Sequence, residues 1–314
     1  MKAEKRVTGA APFGYRLRKD LWKYKSIYLM VIPVLLYYII FCYKPMYGAV
    51  IAFQDYSVAD GIMGSPWVGM KHFKDFVMEP DFLRLIKNTL AISIYGLIFG
   101  FPAPIIFALL LNEIRQKKFK RLVQTASYLP HFISIVVICG MISNFVSRDG
   151  FISILFARIT GREPVAMLSN KAYYLPIYII SNIWQGMGWD AIIYIAALAG
   201  VDASLYEAAS IDGAGKWKQL LHVTLPSIIP TIIIMFILRI GSVLNVGYEK
   251  TLLLYNPLIY ERADIISTYT YRLAFSGQQW SYTTAIGLFN SVINFMLVVI
   301  VNKICDKVNG TSLW

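Results

Sequence analysis

The stretch EAASIDGAGKWKQLLHVTLP, from Glu207 to Pro226, is the most polar part of a long apolar region. Ser204 and Glu207 match the capping-box pattern [ST]-x-x-[DE], so we expect Ser204 to cap a short helix and Glu207 to reach back to its first amide. The residues that continue this helix are small: Ala208, Ala209 and Ser210. Such a surface would let another backbone approach closely.

Two glycines, Gly213 and Gly215, are then predicted to supply positive φ for a turn. A second short helix would follow, with an apolar face formed by Trp217, Leu220 and Leu221. Pro226 opens the next apolar block, where proline is tolerated in the first helical turn. The pattern predicts a helix–turn–helix outside the apolar blocks. It fits either a docking surface for a partner or a connector that touches only its own chain.

Catalytic and metal-binding patterns are absent from the sequence. GAGKWK resembles a phosphate-binding loop, but the G-x-x-x-x-G-K-[ST] pattern would require Gly at position 210 and a hydroxyl residue at 217, where Ser210 and Trp217 stand. The three histidines are isolated, with no zinc spacing. We therefore expect no ATP site of this kind, no metal, no cofactor and no enzymatic activity in this chain.

Long apolar blocks account for the 57% hydrophobic composition of the 314 residues, of which only 15% are charged. A bilayer core of about 30 Å needs about 20 helical residues. Six blocks meet this length, and we predict an all-α polytopic protein with six membrane-spanning helices. The blocks are approximately 26–43, 89–111, 126–146, 175–200, 225–244 and 283–301. The first block has no small-residue cleavage site after it and is read as a retained helix rather than a signal peptide.

Positive charge gives the orientation. The net charge is +12, and most of the 30 lysines and arginines lie before the first block, in the loops after the second and fourth blocks, and in the tail. Because cytoplasmic loops carry an excess of Lys and Arg, both termini and the Glu207 loop are predicted to be cytoplasmic. This placement between apolar blocks indicates a membrane protein rather than a nucleic-acid-binding one. The predicted parts are a basic segment 1–25, a six-span transmembrane domain 26–303 that includes the loop 201–224, and a tail 304–314.

Polar side chains inside these blocks are costly and point to a transport pathway. They lie in the fourth, fifth and sixth blocks: Trp184, Gln185, Trp189 and Asp190; Arg239, Ser242 and Asn245; Asn290, Ser291 and Asn294. Amides, hydroxyls and aromatic faces suit a sugar. Hydrogen bonding between helices is an equal alternative for the two asparagines of the sixth block.

The helical rise places Asp190 near the cytoplasmic end of its span and Arg239 in the outer half of the membrane, about 13 Å apart in level. We therefore expect no direct ion pair and no carboxylate of this chain at the level of Arg239. Arg239 would either extend to the headgroups or face a water-filled cavity and an acidic substrate.

The Glu207 stretch resembles the EAA motif of ABC importer permeases. Its matching positions are Glu207, Ala208, Ala209, Gly213, Val223, Leu225 and Pro226, with Asp212 and Ala214 completing the DGA of the sugar-importing branch. Position 221 is Leu where an aromatic is frequent. Segments 68–90, 127–134 and 245–272 resemble carbohydrate permeases, the last two a subgroup that takes complex, often uronate-containing oligosaccharides.

The resemblance implies the type I importer permease fold in a bacterial cell membrane, with a coupling helix at about Ala203–Leu221 that docks on an ATPase. Its implied coupling residues are Glu207, Ala208, Ala209, Asp212, Gly213, Ala214 and Gly215. It further implies two ABC ATPase subunits that hydrolyse ATP, a second homologous permease, an extracellular solute-binding protein and alternating access for an oligosaccharide. The alternative from another class is an ion- or proton-coupled secondary transporter. That class uses internal repeats and midplane carboxylates, whereas the sequence shows no repeat and only Asp190 as an acid within a block.

Overall fold

The computed structural model describes residues 22–314. The predicted basic segment 1–25 lies almost wholly outside this range. The described part is helical, with a single isolated bridge between Gln54 and Trp67 as its only β pairing. The helices are α1 Lys25–Phe53, α2 Gly61–Gly64, α3 Lys71–Met78, α4 Phe82–Glu113, α5 Lys117–Phe132, α6 Ile135–Phe145, α7 Phe151–Thr160, α8 Lys171–Ala199, α9 Ala203–Ile211, α10 Lys216–Ile240, α11 Tyr248–Leu254, α12 Tyr260–Ala263, α13 Ile266–Phe275 and α14 Trp280–Asn309.

Four helices, α1, α4, α10 and α14, are each long and apolar enough to cross a membrane. The bent pairs α5–α6 and α8–α9 bring the number of candidate spans to six. This confirms the predicted all-helical, six-span architecture, although several boundaries differ. The sixth span, α14, for example, continues to Asn309 and is followed by Gly310, which has the left-handed conformation.

The prediction that the third span, 126–146, is one continuous helix is wrong. α5 and α6 meet at 101°. The bend falls at Ile133 and Ser134, whose ψ angles of 135° and 138° are extended. Pro130 lies in the preceding turn and cannot donate a backbone hydrogen bond to a continuing helix.

The fifth predicted span, 225–244, is displaced toward the N-terminus. α10 begins at Lys216 and ends at Ile240, so the predicted second short helix of the Glu207 stretch is the first turn of this span. A π-helical stretch, Leu220–Thr224, precedes Pro226. Pro226 has no backbone N–H to donate to the preceding turn. The wider π-helical turn accommodates this missing hydrogen bond, so the helix continues without a break.

Three apolar clusters hold the helices together. One joins α4, α8 and α10 through buried Ala108, Tyr194 and Ile228. A second joins α6, α8 and α11, and a third places Phe76 of α3 against α4, α13 and α14. α1 contributes no buried residue between Lys25 and Met46 and first packs against α14 at Tyr47–Phe53. The bundle is therefore built from α4 to α14.

The loop between α1 and α4 is structured. It contains α2 and α3, and the buried ring of His72 hydrogen-bonds the carbonyl oxygen of Gln54 at 3.0 Å. The apolar face of α3 anchors the loop against α4, α13 and α14 through Phe76.

Candidate coupling loop and translocation cavity

α9 carries the polar Glu207 stretch, and its N-cap is Asp202 rather than Ser204. The Asp202 carboxylate accepts a hydrogen bond from the Ser204 amide at 2.9 Å. The predicted capping box is therefore wrong, because an acceptor two residues earlier already satisfies the first free amide. Glu207 is released from a capping role and is exposed.

The turn after α9 is formed at Gly213, whose φ of +74° confirms the predicted left-handed conformation. The prediction for Gly215 is wrong: its φ is −69° and its ψ is 169°, and it precedes α10 as an extended residue. One positive-φ glycine is sufficient because the Ala214 amide already bonds the Ala209 carbonyl at 2.8 Å, which closes the end of α9.

The loop is tied firmly to α10. The Tyr206 hydroxyl hydrogen-bonds Oγ1 of Thr224 at 2.9 Å. Nε2 of Gln219 donates to Oγ of Ser210 and to the Ala214 carbonyl, both at 3.0 Å. A displacement of α9 is therefore transmitted to the N-terminal part of α10.

The outer face of the loop is open. Ala208 is exposed beside Glu207, and Ile211 and Trp217 are exposed by 86% and 77%. Two large apolar side chains at this level of exposure, next to a small-residue helix, form a surface suited to contact with another protein. We call Ala203–Trp217 the coupling surface.

Two adjoining cavities lie between α4, α8, α10 and the segment 241–250. The first has a volume of about 160 Å³ and the second about 540 Å³. They share Tyr178, Asn182, Asp190, Arg239 and Gly247. We call the pair the central cavity.

Asp190 and Arg239 both line the central cavity, a juxtaposition that the calculation of helical rise did not predict. Among the described residues, no carboxylate oxygen lies within 4.0 Å of the Arg239 guanidinium. The predicted absence of a direct ion pair therefore agrees with the geometry, but a carboxylate does face the same space.

Ser242 and Asn245 also line the first cavity, although they are not on a helix face. They lie in the turn after α10, and Oγ of Ser242 donates to the Arg239 carbonyl at 3.1 Å. The turn, rather than the predicted helical spacing, brings them together with Arg239.

In α8, Gln185 lines the second cavity. Trp189 stacks on the His131 ring, with centroids 4.5 Å apart and planes inclined by 2°. His131, which also lines this cavity, is exposed. Trp184 is half-exposed and lies outside both cavity walls.

Asn290 and Asn294 of α14 lie away from the central cavity. Both are buried, and Oδ1 of Asn294 accepts a hydrogen bond from the Leu244 amide at 3.1 Å. This contact supports the alternative of helix packing, since it satisfies the chain just beyond the end of α10.

Sequence reasoning did not find Lys250. It lies in α11, is 3% exposed and lines the second cavity. The sequence placed it in an outer loop of mixed polarity, and only the fold carries α11 back against α6 and α8. A lysine next to a run of four apolar or hydroxyl residues was the available signal, and it is a weak one.

A family model described as "Binding-protein-dependent transport system inner membrane component" matches residues 100–306. The match covers most of the chain, including the coupling surface and most residues that line the central cavity. The chain belongs to this family.

Individual relatives agree with this membership. The permease is 45% identical to Protein LplB of Bacillus subtilis over 299 residues, covering 95% of this chain and 92% of that protein. It is 43% identical to the polygalacturonan/rhamnogalacturonan transport system permease protein YteP of the same organism, covering 95% and 93%. A crystal structure of a bacterial ABC transporter involved in the import of the acidic polysaccharide alginate matches with a TM-score of 0.86 and 40% identity, covering 94% of this chain and 99% of that one.

These matches confirm the predicted importer permease fold and establish a multi-pass inner membrane protein. The permease is a component of an ABC transporter and is not itself an enzyme. The alternative of an ion- or proton-coupled secondary transporter is not favoured. A second crystal structure of the alginate transporter, also with a TM-score of 0.86, is a complex with a pentasaccharide-bound periplasmic protein.

Proposed function

We propose that this permease is the translocation subunit of an ATP-driven importer for acidic oligosaccharides. The names of its relatives support this class, since they include a polygalacturonan transporter and an alginate importer. The central cavity supports it independently, because Arg239 faces a space lined by amides, a hydroxyl and an aromatic ring. Cations, amides and aromatic faces together suit a sugar that bears a carboxylate.

Coupling to ATP hydrolysis takes place at the coupling surface. Glu207, Ala208 and Ala209 present the small-residue helix, and Asp212–Gly215 form the turn that orients it. An ATPase subunit that moves α9 also moves α10 through the Tyr206–Thr224 hydrogen bond. Since Arg239 lies near the other end of α10, the two sites are joined by a single helix. This mechanical continuity is the observation that carries the proposal.

The assembly contains two ATPase subunits, which hydrolyse ATP, a second homologous permease and an extracytoplasmic solute-binding protein. Both termini and the coupling surface are cytoplasmic, in accordance with the distribution of Lys and Arg. Transport occurs by alternating access of the cavity to the two sides of the membrane.

A photo-cross-linking residue at position 208 tests the coupling assignment. Ala208 is exposed and small, so the substitution disturbs little, and we expect light-dependent capture of an ATPase subunit by the active complex. The matched control is Val58, which is 74% exposed in the loop between α1 and α4 and should capture no ATPase. An active complex in which position 208 never captures an ATPase would overturn the assignment.

Arg239→Gln tests the cavity. The substitution keeps hydrogen-bond donors and removes the charge, so uptake of an acidic oligosaccharide should fall while uptake of its neutral methyl ester is retained. Equal loss of both substrates, or no loss, would remove Arg239 from the substrate pathway.

A further inference from the structure

Lys250 is a buried cation whose surroundings do not balance its charge. Its ammonium group donates to Oδ1 of Asn182 at 2.7 Å and to Oε1 of Gln185 at 3.4 Å. Both partners are neutral amides. Among residues 22–314, no carboxylate oxygen lies within 4.0 Å of its Nζ atom.

Burying a charged group without a counter-ion is costly, and buried lysines are normally paired. An ammonium group carries three donors, and here the two amides use two of them. The Nζ atom of Lys250 also lies over the ring of Tyr178, 5.7 Å from its centroid. This cation–π contact adds a weak attraction but no negative charge. One donor and the full positive charge are left for a group outside the protein.

The second cavity is where such a group would be found. Lys250, Gln185 and Asn182 all line it, and its volume of about 540 Å³ is in the range of cavities that hold small ligands. Other charged groups line it too. They are Asp190, Arg239 and Glu249. Glu249 is exposed, whereas Lys250 is buried. Lys250 is therefore the least exposed cation of this cavity, and none of its recorded polar partners carries a charge.

We propose that Lys250 is a specificity-determining contact that selects saccharides carrying a carboxylate on the unit held beside α11. The inference rests on the proposed function and extends it, because it adds a second cation from a separate element to the cavity of Arg239. Two cations, one from α10 and one from α11, favour a chain with carboxylates on more than one sugar unit. A saccharide with a single terminal acid would satisfy only one of them.

The contact also explains why Asn182 and Gln185 are amides. They hold the ammonium group in place without neutralising it, so the charge stays available to a ligand. A carboxylate at position 182 would pair with Lys250 inside the protein and compete with the ligand.

The test uses the complete reconstituted importer with two probes, tetragalacturonate and its methyl ester, and measures the ratio of their initial uptake rates. The same binding protein is present in every arm, so its own preference cancels when a variant is compared with wild type. Lys250→Gln should lower the acidic-to-neutral ratio by about tenfold or more, as expected for the loss of a hydrogen bond to a charged group. Asn182→Asp, which keeps the lysine but gives it an internal partner, should lower the ratio in the same direction.

A ratio that stays unchanged in both variants would overturn the proposal, whether or not total uptake falls, because it would leave Lys250 as a tie between α11 and α8. If Lys250→Gln fails to assemble, the ratio measured for Asn182→Asp decides alone. A wild-type importer that moves tetragalacturonate no better than its ester would instead contradict the acidic substrate class, which separates failure of the proposed function from failure of this inference.

Discussion

Gly188 of α8 lies directly against the backbone of Ser127 in α5. A Cβ atom placed on Gly188 would lie 2.2 Å from the Ser127 carbonyl oxygen and 2.5 Å from its carbonyl carbon. Neither neighbour is a flexible side chain, so the crossing of the two helices depends on glycine at this position. Trp189 stacks on His131 one residue away, which places this crossing at the wall of the central cavity.

Gly188→Ala should therefore destabilise the permease by about 1–3 kcal/mol, since added volume in a packed contact forces the backbone apart. We expect a lower melting temperature of the purified complex and a lower yield. Gly140→Ala is the matched control, because a Cβ at Gly140 meets no atom within 4 Å. Equal melting temperatures for the two variants would contradict the close contact.

Asp264 and Arg272 form the main buried ion pair in the segment between α10 and α14. The two guanidinium nitrogens donate to the two carboxylate oxygens at 2.7 and 2.8 Å, and Asp264 is fully buried. These hydrogen bonds raise the pKa of Arg272.

Removing one partner of a buried pair leaves an uncompensated charge, so Asp264→Asn should cost about 3–5 kcal/mol. Glu261→Gln is the control, since Glu261 pairs with Lys171 at the surface, where ion pairs contribute about 0–1 kcal/mol. The prediction is tested by thermal denaturation of both variants. A loss for Glu261→Gln as large as that for Asp264→Asn would show that burial is not the source of the effect.

Gly213 tests the geometry of the coupling surface. Proline fixes φ near −65° and cannot adopt the observed +74°, so Gly213→Pro should leave the permease inserted but abolish transport while the ATPase subunits remain active. Gly215→Ala is the control, because Gly215 has a φ of −69° and open space around its Cβ position. The comparison of ATP hydrolysed with substrate moved distinguishes the two variants, and normal coupling in Gly213→Pro would exclude the turn from energy transfer.

Asp202 should make the order of α9 dependent on pH. Hydrogen bonds from Ser204 lower the pKa of the Asp202 carboxyl in the folded state. A lowered folded pKa means that the cap stabilises α9 above the unfolded value of about 3.9 and is lost as pH falls through the folded pKa. Hydrogen exchange of residues 203–211 near neutral pH should be faster in Asp202→Ala than in Asp202→Asn, which retains a capping oxygen. Identical exchange in the two variants would contradict the cap.

Glu207→Arg then tests contact rather than folding. Because Glu207 is exposed and Asp202 provides the cap, the charge reversal should leave α9 intact and reduce coupling through the partner surface alone. Unchanged transport at normal expression would remove Glu207 from the interface. Increased hydrogen exchange of α9 would instead indicate that Glu207 has a structural role.

The sequence was sufficient for the architecture and for the turn at Gly213, since both depend on local patterns: long apolar blocks, small residues and a glycine with fixed spacing. It was insufficient where the fold reverses a local expectation. The bend at Ile133 and Ser134 lies inside a continuously apolar block, and hydropathy carries no information about it. The shared cavity of Asp190 and Arg239 was not predicted because a rise calculation gives the position of a residue along its own helix and not the space that its side chain faces.

Lys250 and Asn294 are two further residues whose surroundings could not be predicted from the sequence. A lysine assigned to a loop proved to be buried at a cavity, and an asparagine assigned to a pathway proved to bond the Leu244 amide. Both outcomes are set by contacts between residues more than 45 positions apart, which a single sequence does not display.

The central claim is that ATP, and not an ion gradient, drives oligosaccharide movement through this permease. Uptake of tetragalacturonate by proteoliposomes that hold the complete importer tests it most directly, with and without enclosed ATP and with a proton and sodium ionophore added. The account predicts uptake that requires ATP and the binding protein and is unaffected by the ionophores. Uptake that persists without ATP and collapses when the ion gradients are dissipated would contradict it.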